Sequence, residues 1–445
     1  MPQLNRGIRR LLILAILFSA IAGSGLWWHH SINVDPVVTF PAPPPLPSPN
    51  ARDVYLAAAK LQVKSWTDPS TKRTIHTFDM ANYIRGGAII LKPGSPDPPP
   101  SLAEMKGLIA KNTPALKKVR QGFTYDTGNP SLHLDLSKFD ELRNLRDLKN
   151  AMMADADVKC ATGDWDGAVG RYVDIIHYST DIGRGLPFST LMGGTRGLGS
   201  DVWSTLDYVS GSQARRAAQR LEKIAGERAN LTEILQAEKL WTQALMLELF
   251  NEPNWRTEFG GTATVYYNEE QAHDHFMLRF VSKRTAMHGF TRYMDQLITN
   301  VNEANPLNTK IPSPPDDPLN RFIVPDCSSL IFRYTRTETL QNMLITSFAL
   351  RAYKADHGTY PPDLPALAPD YLKAIPADLF SPGPLKYKVT GKSYALYSVG
   401  PDGNDDGGTP SADGKQARQD LTSKSTVKYI SRDSTGDIVA GVNIY

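Results

Sequence analysis

Residues 335–367 read TRTETLQNMLITSFALRAYKADHGTYPPDLPAL. Leu340, Leu344, Ser347, Phe348 and Tyr353 recur at helical spacing, which predicts a long helix with one core-facing stripe. It stops at His357-Gly358, where Gly358 supplies the left-handed cap and Pro361 follows. A loop, PALAPDYLKAIPADLFSPGPL (365–385), comes next. KYKVT (386–390) and SYALYSV (393–399) then flank Gly391-Lys392, the pattern of a hairpin. STVKYI (425–430) and GDIVAGV (436–442) offer further strands. A long helix ahead of short strands gives residues 325–445 a helix and strands of their own, the makings of a unit that folds alone.

Upstream, proline marks the boundaries. IPSPPDDP (311–318) predicts a linker over 311–324, and FPAPPPLPSPN (40–50) predicts a polyproline spacer within 31–50. Between them, residues 51–310 read as an all-α domain of helical hairpins. Ser101 and Glu104 form a capping-box pattern. Leu142, Leu145, Leu148, Met152 and Ala156 share one face of a helix that stops at Gly163. Asp164 then reads as the N-cap of a helix facing inward through Val169, Val173 and Ile176. The turn Gly163-Asp164-Trp165, with Ala156, Ala168 and Tyr172, resembles one tetratricopeptide-type hairpin, without a second copy at that period. The fold class expected is therefore multidomain: a single N-terminal membrane anchor, the all-α middle domain and the α+β C-terminal domain.

The anchor expectation rests on LLILAILFSAIAGSGLWW (11–28), eighteen residues without a charge behind Arg6, Arg9 and Arg10. That length spans a bilayer core as a helix, with Trp27 and Trp28 at the far interface. Residues 1–30 form the anchor or signal segment, the membrane partner is met through residues 11–28, and the bulk of the chain is exported. The alternative is secretion after cleavage near Ala22, where Ala20-Ile21-Ala22 fits the small-x-small pattern. In an oxidising compartment Cys160 and Cys327 could pair; as buried thiols they would act as small hydrophobes. A net charge of +3, from 49 basic and 46 acidic residues scattered along the chain, shows no nucleic-acid footprint.

Catalytic motifs are sparse. In NEEQAHDHF (268–276), Glu269 and His273 lie four apart and share a helix face, the start of a zinc site. The stretch also offers Glu270 and His275, but His275 is two residues from His273 and points to nearly the opposite side, so a zinc-dependent hydrolase would need a distant ligand. His177 reads as a packing residue. Asp155 and Asp157 diverge on their helix, and LMGGTRGLGS (191–200) follows no strand, so it makes no phosphate cradle. These candidates leave enzymatic activity without a residue set.

The strongest chemical signal is PDGNDDGG (401–408). Asp402, Asn404 and Asp406 occupy the first, third and fifth positions of a twelve-residue calcium loop. Gly407 is sixth, the Gly408 carbonyl seventh and Asp413 twelfth. A plain Gly-Asp turn is the competing reading.

The order of YKADHGTYPPDLPAL, YLKAIPADLFSPGPLKY, YALYSVGPDGNDDGG and GDIV resembles the globular C-terminal domain of the major pseudopilin of type II secretion systems. The resemblance covers about residues 335–445. It implies a long helix against an antiparallel sheet and a calcium site on the loop after the strand. The chain departs from the family upstream: no glycine-phenylalanine cleavage motif precedes its apolar run. The functional expectation is an envelope protein of binding or scaffolding type with a calcium-stabilised C-terminal domain. Envelope or secretion-machinery proteins would be its partners. The alternative is an accessory component of a type II secretion or pilus-like machine.

Overall fold

Helix ends follow local chemistry throughout the structure. It is a computed structural model that describes residues 24, 27–77, 84–85, 88–89, 100–129, 139–185, 200–256, 276–303, 305–411, 417–419, 426–428 and 430–442. The first half carries α1 (Ala51–Lys60), hairpins β1–β2 (Ser65–Thr67, Thr74–His76) and β3–β4 (Ile84–Arg85, Ala88–Ile89), α2 (Leu102–Gly122) and α3 (Phe139–Ala161). Next come α4 (Trp165–Gly183), α5 (Ser200–Ser204), α6 (Gly211–Ala225) and α7 (Leu231–Asn251). After α8 (Lys283–Thr299), α9 (Pro318–Ile323) and α10 (Cys327–His357) follow strands β5 (Lys386–Thr390) and β6 (Ser393–Ser398). Last are β7 (Ala417–Gln419), β8 (Thr426–Lys428) and β9 (Ile438–Val439).

The Ser101–Glu104 capping box is fully formed at the start of α2. Asp164 caps α4 by accepting from the Gly167 N–H, and Ser210 caps α6 through Gln213. Each such cap stabilises its helix by about 1 kcal/mol. At the other end of α10, Gly358 takes φ +77°, a backbone conformation that a side chain disfavours.

The chain forms two units, each discontinuous in sequence. The larger comprises residues 43–238, 301–309 and 327–445. Its single apolar core runs from Tyr55, Met105 and Leu148 through Tyr172 and Ile176 to Phe348, Leu396 and Ile438. β5, β6 and β9 make an antiparallel sheet in that order, with Tyr387 opposite Leu396 and Tyr397 opposite Val439. β7 and β8 pair with each other. The smaller unit comprises 1–42, 239–300 and 310–326, so the division falls inside α7 and the proline stretch 311–318 belongs to this unit. Its own core includes Phe250, Trp255, Phe290, Met294 and Leu297.

The expected fold class needs correction. Among the described residues no helix is long and apolar enough to cross a membrane, so an N-terminal anchor is not shown. Helical residues 27–32 end at Asn33, whose amide donates back to the His29 carbonyl at 2.8 Å. Residues 1–23 lie outside the described set. The middle region is not all-α either. In β1–β2, Asp68 accepts from the Ser70 and Thr71 N–H groups, a side-chain turn that folds the chain back and buries Ile75. The C-terminal part is also not a separate α+β domain, because α10 starts at Cys327 and shares its core with α1–α6. Its reach to α6 is a contact between segments far apart in sequence, which local patterns do not encode.

Asn112 shows how irregular chain is held to helix. Fully buried on α2, it accepts from the Val63 N–H at 3.0 Å and donates to the Val63 carbonyl at 2.9 Å. Its amide thereby replaces a strand neighbour for a residue that has none. Asn112→Ala leaves both backbone groups unpaired and should lower stability by about 2–3 kcal/mol in urea unfolding. An unchanged midpoint would mean that water replaces the amide.

Candidate functional site

The acidic loop leaves β6 and returns toward β9, and its carboxylates are already engaged. Asp402 accepts from the Asn404 N–H at 3.1 Å through one oxygen and from the Gly436 N–H at 3.2 Å through the other. Asp405 accepts from the Gly407 N–H and the Tyr397 hydroxyl, both at 3.1 Å, and lies 3.5 Å from Lys386 Nζ. The Gly407 N–H is the main cause holding its carboxyl below the usual range. Asp437, fully buried, accepts from Asp406 N–H at 3.3 Å and Gly408 N–H at 2.6 Å. Burial pushes the Asp437 carboxyl up and the two N–H donors pull it down, with burial the larger cause.

Asn404 and Asp406 are exposed, and among the described residues their side chains make no hydrogen bond. Four of the five calcium candidates, Asp402, Asn404, Asp406 and Gly408, are thus on one loop, while Asp413 lies outside the described residues. Among the described residues no three His, Cys, Asp or Glu side chains gather as metal ligands. The zinc candidates Glu269, Glu270, His273 and His275 also lie outside the described residues. Cys160 and Cys327 are both buried, and no disulfide joins them. Asp155 and Asp157 meet different partners, Arg171 at 2.7 Å and the Tyr172 hydroxyl at 3.1 Å.

Sequence reading did not find Asp437, nor a buried cluster centred on α4. The Tyr55 hydroxyl donates to Asp181, whose carboxylate lies 3.8 Å from His177 Nε2. The other imidazole nitrogen is 3.5 Å from Arg220, which pairs with Asp174 at 2.7 Å. Phe123 stacks on the imidazole at 4.5 Å. The i,i+4 spacing of His177 and Asp181 is visible in the sequence; Tyr55, Phe123 and Arg220 come from three other helices or their ends. Both imidazole nitrogens face protein groups and one ring face is covered, so the cluster is built to hold helices together. No protein family, curated protein or solved structure matches the chain.

Burial lowers the proton affinity of His177, against the attraction of Asp181. Burial also raises the Asp181 carboxyl, which the Tyr55 hydroxyl and His177 oppose. For His177 the folded pKa lies below the unfolded value, so its contribution is present above pH 6.5 and lost as pH falls through the folded pKa. Asp181 has the opposite sign: its contribution is present below the unfolded value of 3.8 and lost as pH rises through the folded pKa. His177→Gln should therefore gain melting temperature relative to wild type on acidification below pH 6.5. A difference that stays constant with pH would show that His177 does not titrate with folding.

Proposed function

We propose that this chain is a non-catalytic protein of binding or scaffolding type, whose pseudopilin-like C-terminal part is built permanently into a helical body. The observation that supports this reading is the second partner of α10. A helix that assembles into a fibre keeps a face open for its neighbours. Here α6 covers one side of α10. Gly211 lies directly against Ala355, leaving no room for a side chain. Arg351 Nε donates to the Val209 carbonyl at 3.0 Å, and Arg215 pairs with Asp356. Arg228 pairs with Glu338 at 2.9 Å. A helix closed on both sides serves as a fixed wall. The charge-free stretch behind Arg6, Arg9 and Arg10 supports an exported location.

Calcium belongs to this proposal as a structural ion. Asp402, Asn404, Asp406, the Gly408 carbonyl and Asp413 would hold it. The fit rests on the exposed, unengaged side chains of Asn404 and Asp406 and on the lone pairs that Asp402 keeps beyond its two N–H bonds. The ion would neutralise neighbouring aspartates and add cross-links between the loop and β9. An exported site needs an affinity of only about 10⁻⁴ to 10⁻³ M.

Two measurements test the reading. Gly211→Leu drives a side chain into Ala355 and should cost about 1–3 kcal/mol while releasing the covered face of α10. The variant should self-associate in sedimentation while the wild type stays monodisperse. Ordered filaments of the wild-type chain would refute the scaffold. For the ion, millimolar calcium should raise the wild-type melting temperature, and Asp406→Ala should remove the rise while leaving the calcium-free melt unchanged. Melts indifferent to calcium and chelator reduce the loop to a turn.

A further inference from the structure

In the smaller unit, aromatic side chains from two remote segments meet at the surface. Trp27 is 71% exposed, Trp28 39%, Phe276 54% and Phe280 44%. Trp28 and Phe280 lie 5.6 Å apart between ring centroids, Phe276 and Phe280 5.5 Å. Arg279 sits 5.7 Å over the Phe276 ring. These groups are held firmly from beneath. Arg256 donates to the Asn33 side chain at 2.8 Å, the Ile32 carbonyl at 3.1 Å and the Val281 carbonyl at 2.9 Å. One guanidinium therefore fastens helical residues 27–32 to the turn Leu278–Phe280. Lys283 repeats the link, bonding Asp35 at 2.7 Å and the Phe250 carbonyl at 2.8 Å.

We propose that Trp27, Trp28, Phe276 and Phe280 form a seat for the interfacial layer of an anionic lipid bilayer, with Arg279 and Arg284 at the level of its phosphates. Two observations select lipid as the occupant. Tryptophan and phenylalanine beside arginine suit a layer that is apolar below and charged above. From Phe276 to Met294 the chain carries Arg279, Arg284 and Arg292, besides Lys283 whose charge Asp35 meets, and no carboxylate, a charge pattern complementary to anionic headgroups. The seat is peripheral and requires no described residue to cross the bilayer. It does not depend on the scaffold reading or on calcium.

The test uses the full chain carrying Met277→Cys labelled with an environment-sensitive dye; the native Cys160 and Cys327 are each only 2% exposed and stay unlabelled. On phosphatidylglycerol/phosphatidylethanolamine vesicles the dye emission should shift to the blue, and on phosphatidylcholine vesicles it should shift less. Phe276→Ser/Phe280→Ser in the labelled chain should weaken the shift by about tenfold in lipid concentration. Absence of a shift on any vesicle, or an equal shift in the double variant, overturns the proposal. A shift that appears without lipid and tracks a doubled mass in sedimentation also overturns it, by making the patch a contact between copies. Should the double variant melt early, quenching of the dye in the otherwise native chain by brominated lipid decides the matter, and its absence sinks the seat.

Discussion

Helix α10 must satisfy neighbours on every side, and the larger unit is arranged around that demand. Its 31 residues extend about 46 Å at 1.5 Å per residue. From Met343 to Leu350 all eight consecutive residues are buried, so that stretch has no solvent face. A helix buried all round needs partners all round. Leu344 and Phe348 join the core that includes Leu396 and Ile438 of the sheet, and the seam with α6 closes another side. A polar residue within the buried stretch can be satisfied by the helix itself. Thr346 does this by donating to the Asn342 carbonyl at 2.8 Å, one turn back.

The seam also carries charge out of water. Arg228 is 11% exposed and Glu338 17%, and their 2.9 Å pair is extended by Gln341, which accepts from the same guanidinium. Burial pushes the Glu338 carboxyl up and Arg228 holds it down. Such a pair contributes little net stability compared with apolar residues, yet losing one partner strands the other charge at a cost of about 3–5 kcal/mol. Its value here lies in register: Arg228 can meet Glu338 and Gln341 only when the chain after α6 is correctly aligned along α10. Among the described residues Lys149 on α3 has no such partner. Its amine is buried without a hydrogen bond, and burial lowers its pKa to about 8, so the cost of charging it there is met by easier loss of the proton.

Local signals were readable, and non-local ones were not. The Ser101–Glu104 box, the Asp164 cap and the Gly358 stop depend on residues a few positions apart, and each is where its pattern put it. The hairpin around Gly391 is equally local, with Thr390 opposite Ser393. The start of α10 at Cys327 was missed because Cys327 to Tyr334 reads as no more helical than the proline-rich stretch before it; burial of Leu330 and Ile331 in the folded unit draws it in. Likewise, the β1–β2 turn depends on Asp68 serving as a turn former within a polar run that has no hydrophobic period. Tyr55 and Asp181 are 126 positions apart, and no pattern on either helix announces the other.

The acidic loop shows why spacing alone underdetermines chemistry. The first position of a calcium loop is also one from which a carboxylate can cap a turn, as Asp402 does by accepting from the Asn404 N–H, because both uses need an oxygen on the inside of a tight bend. What separates the uses is the direction of the backbone donors. Two of them, from Asp406 and Gly408, converge on Asp437, so one side of the loop is organised around an anion contributed by β9's own approach. Peptide planarity then points the Gly407 carbonyl away from Asp437. The other side bears Asn404 and Asp406, exposed and unengaged. The loop is therefore folded by Asp437 first. A cation on the open side would add to a bend that already stands, which is why removing the Asp406 carboxylate should matter to an ion and not to the fold.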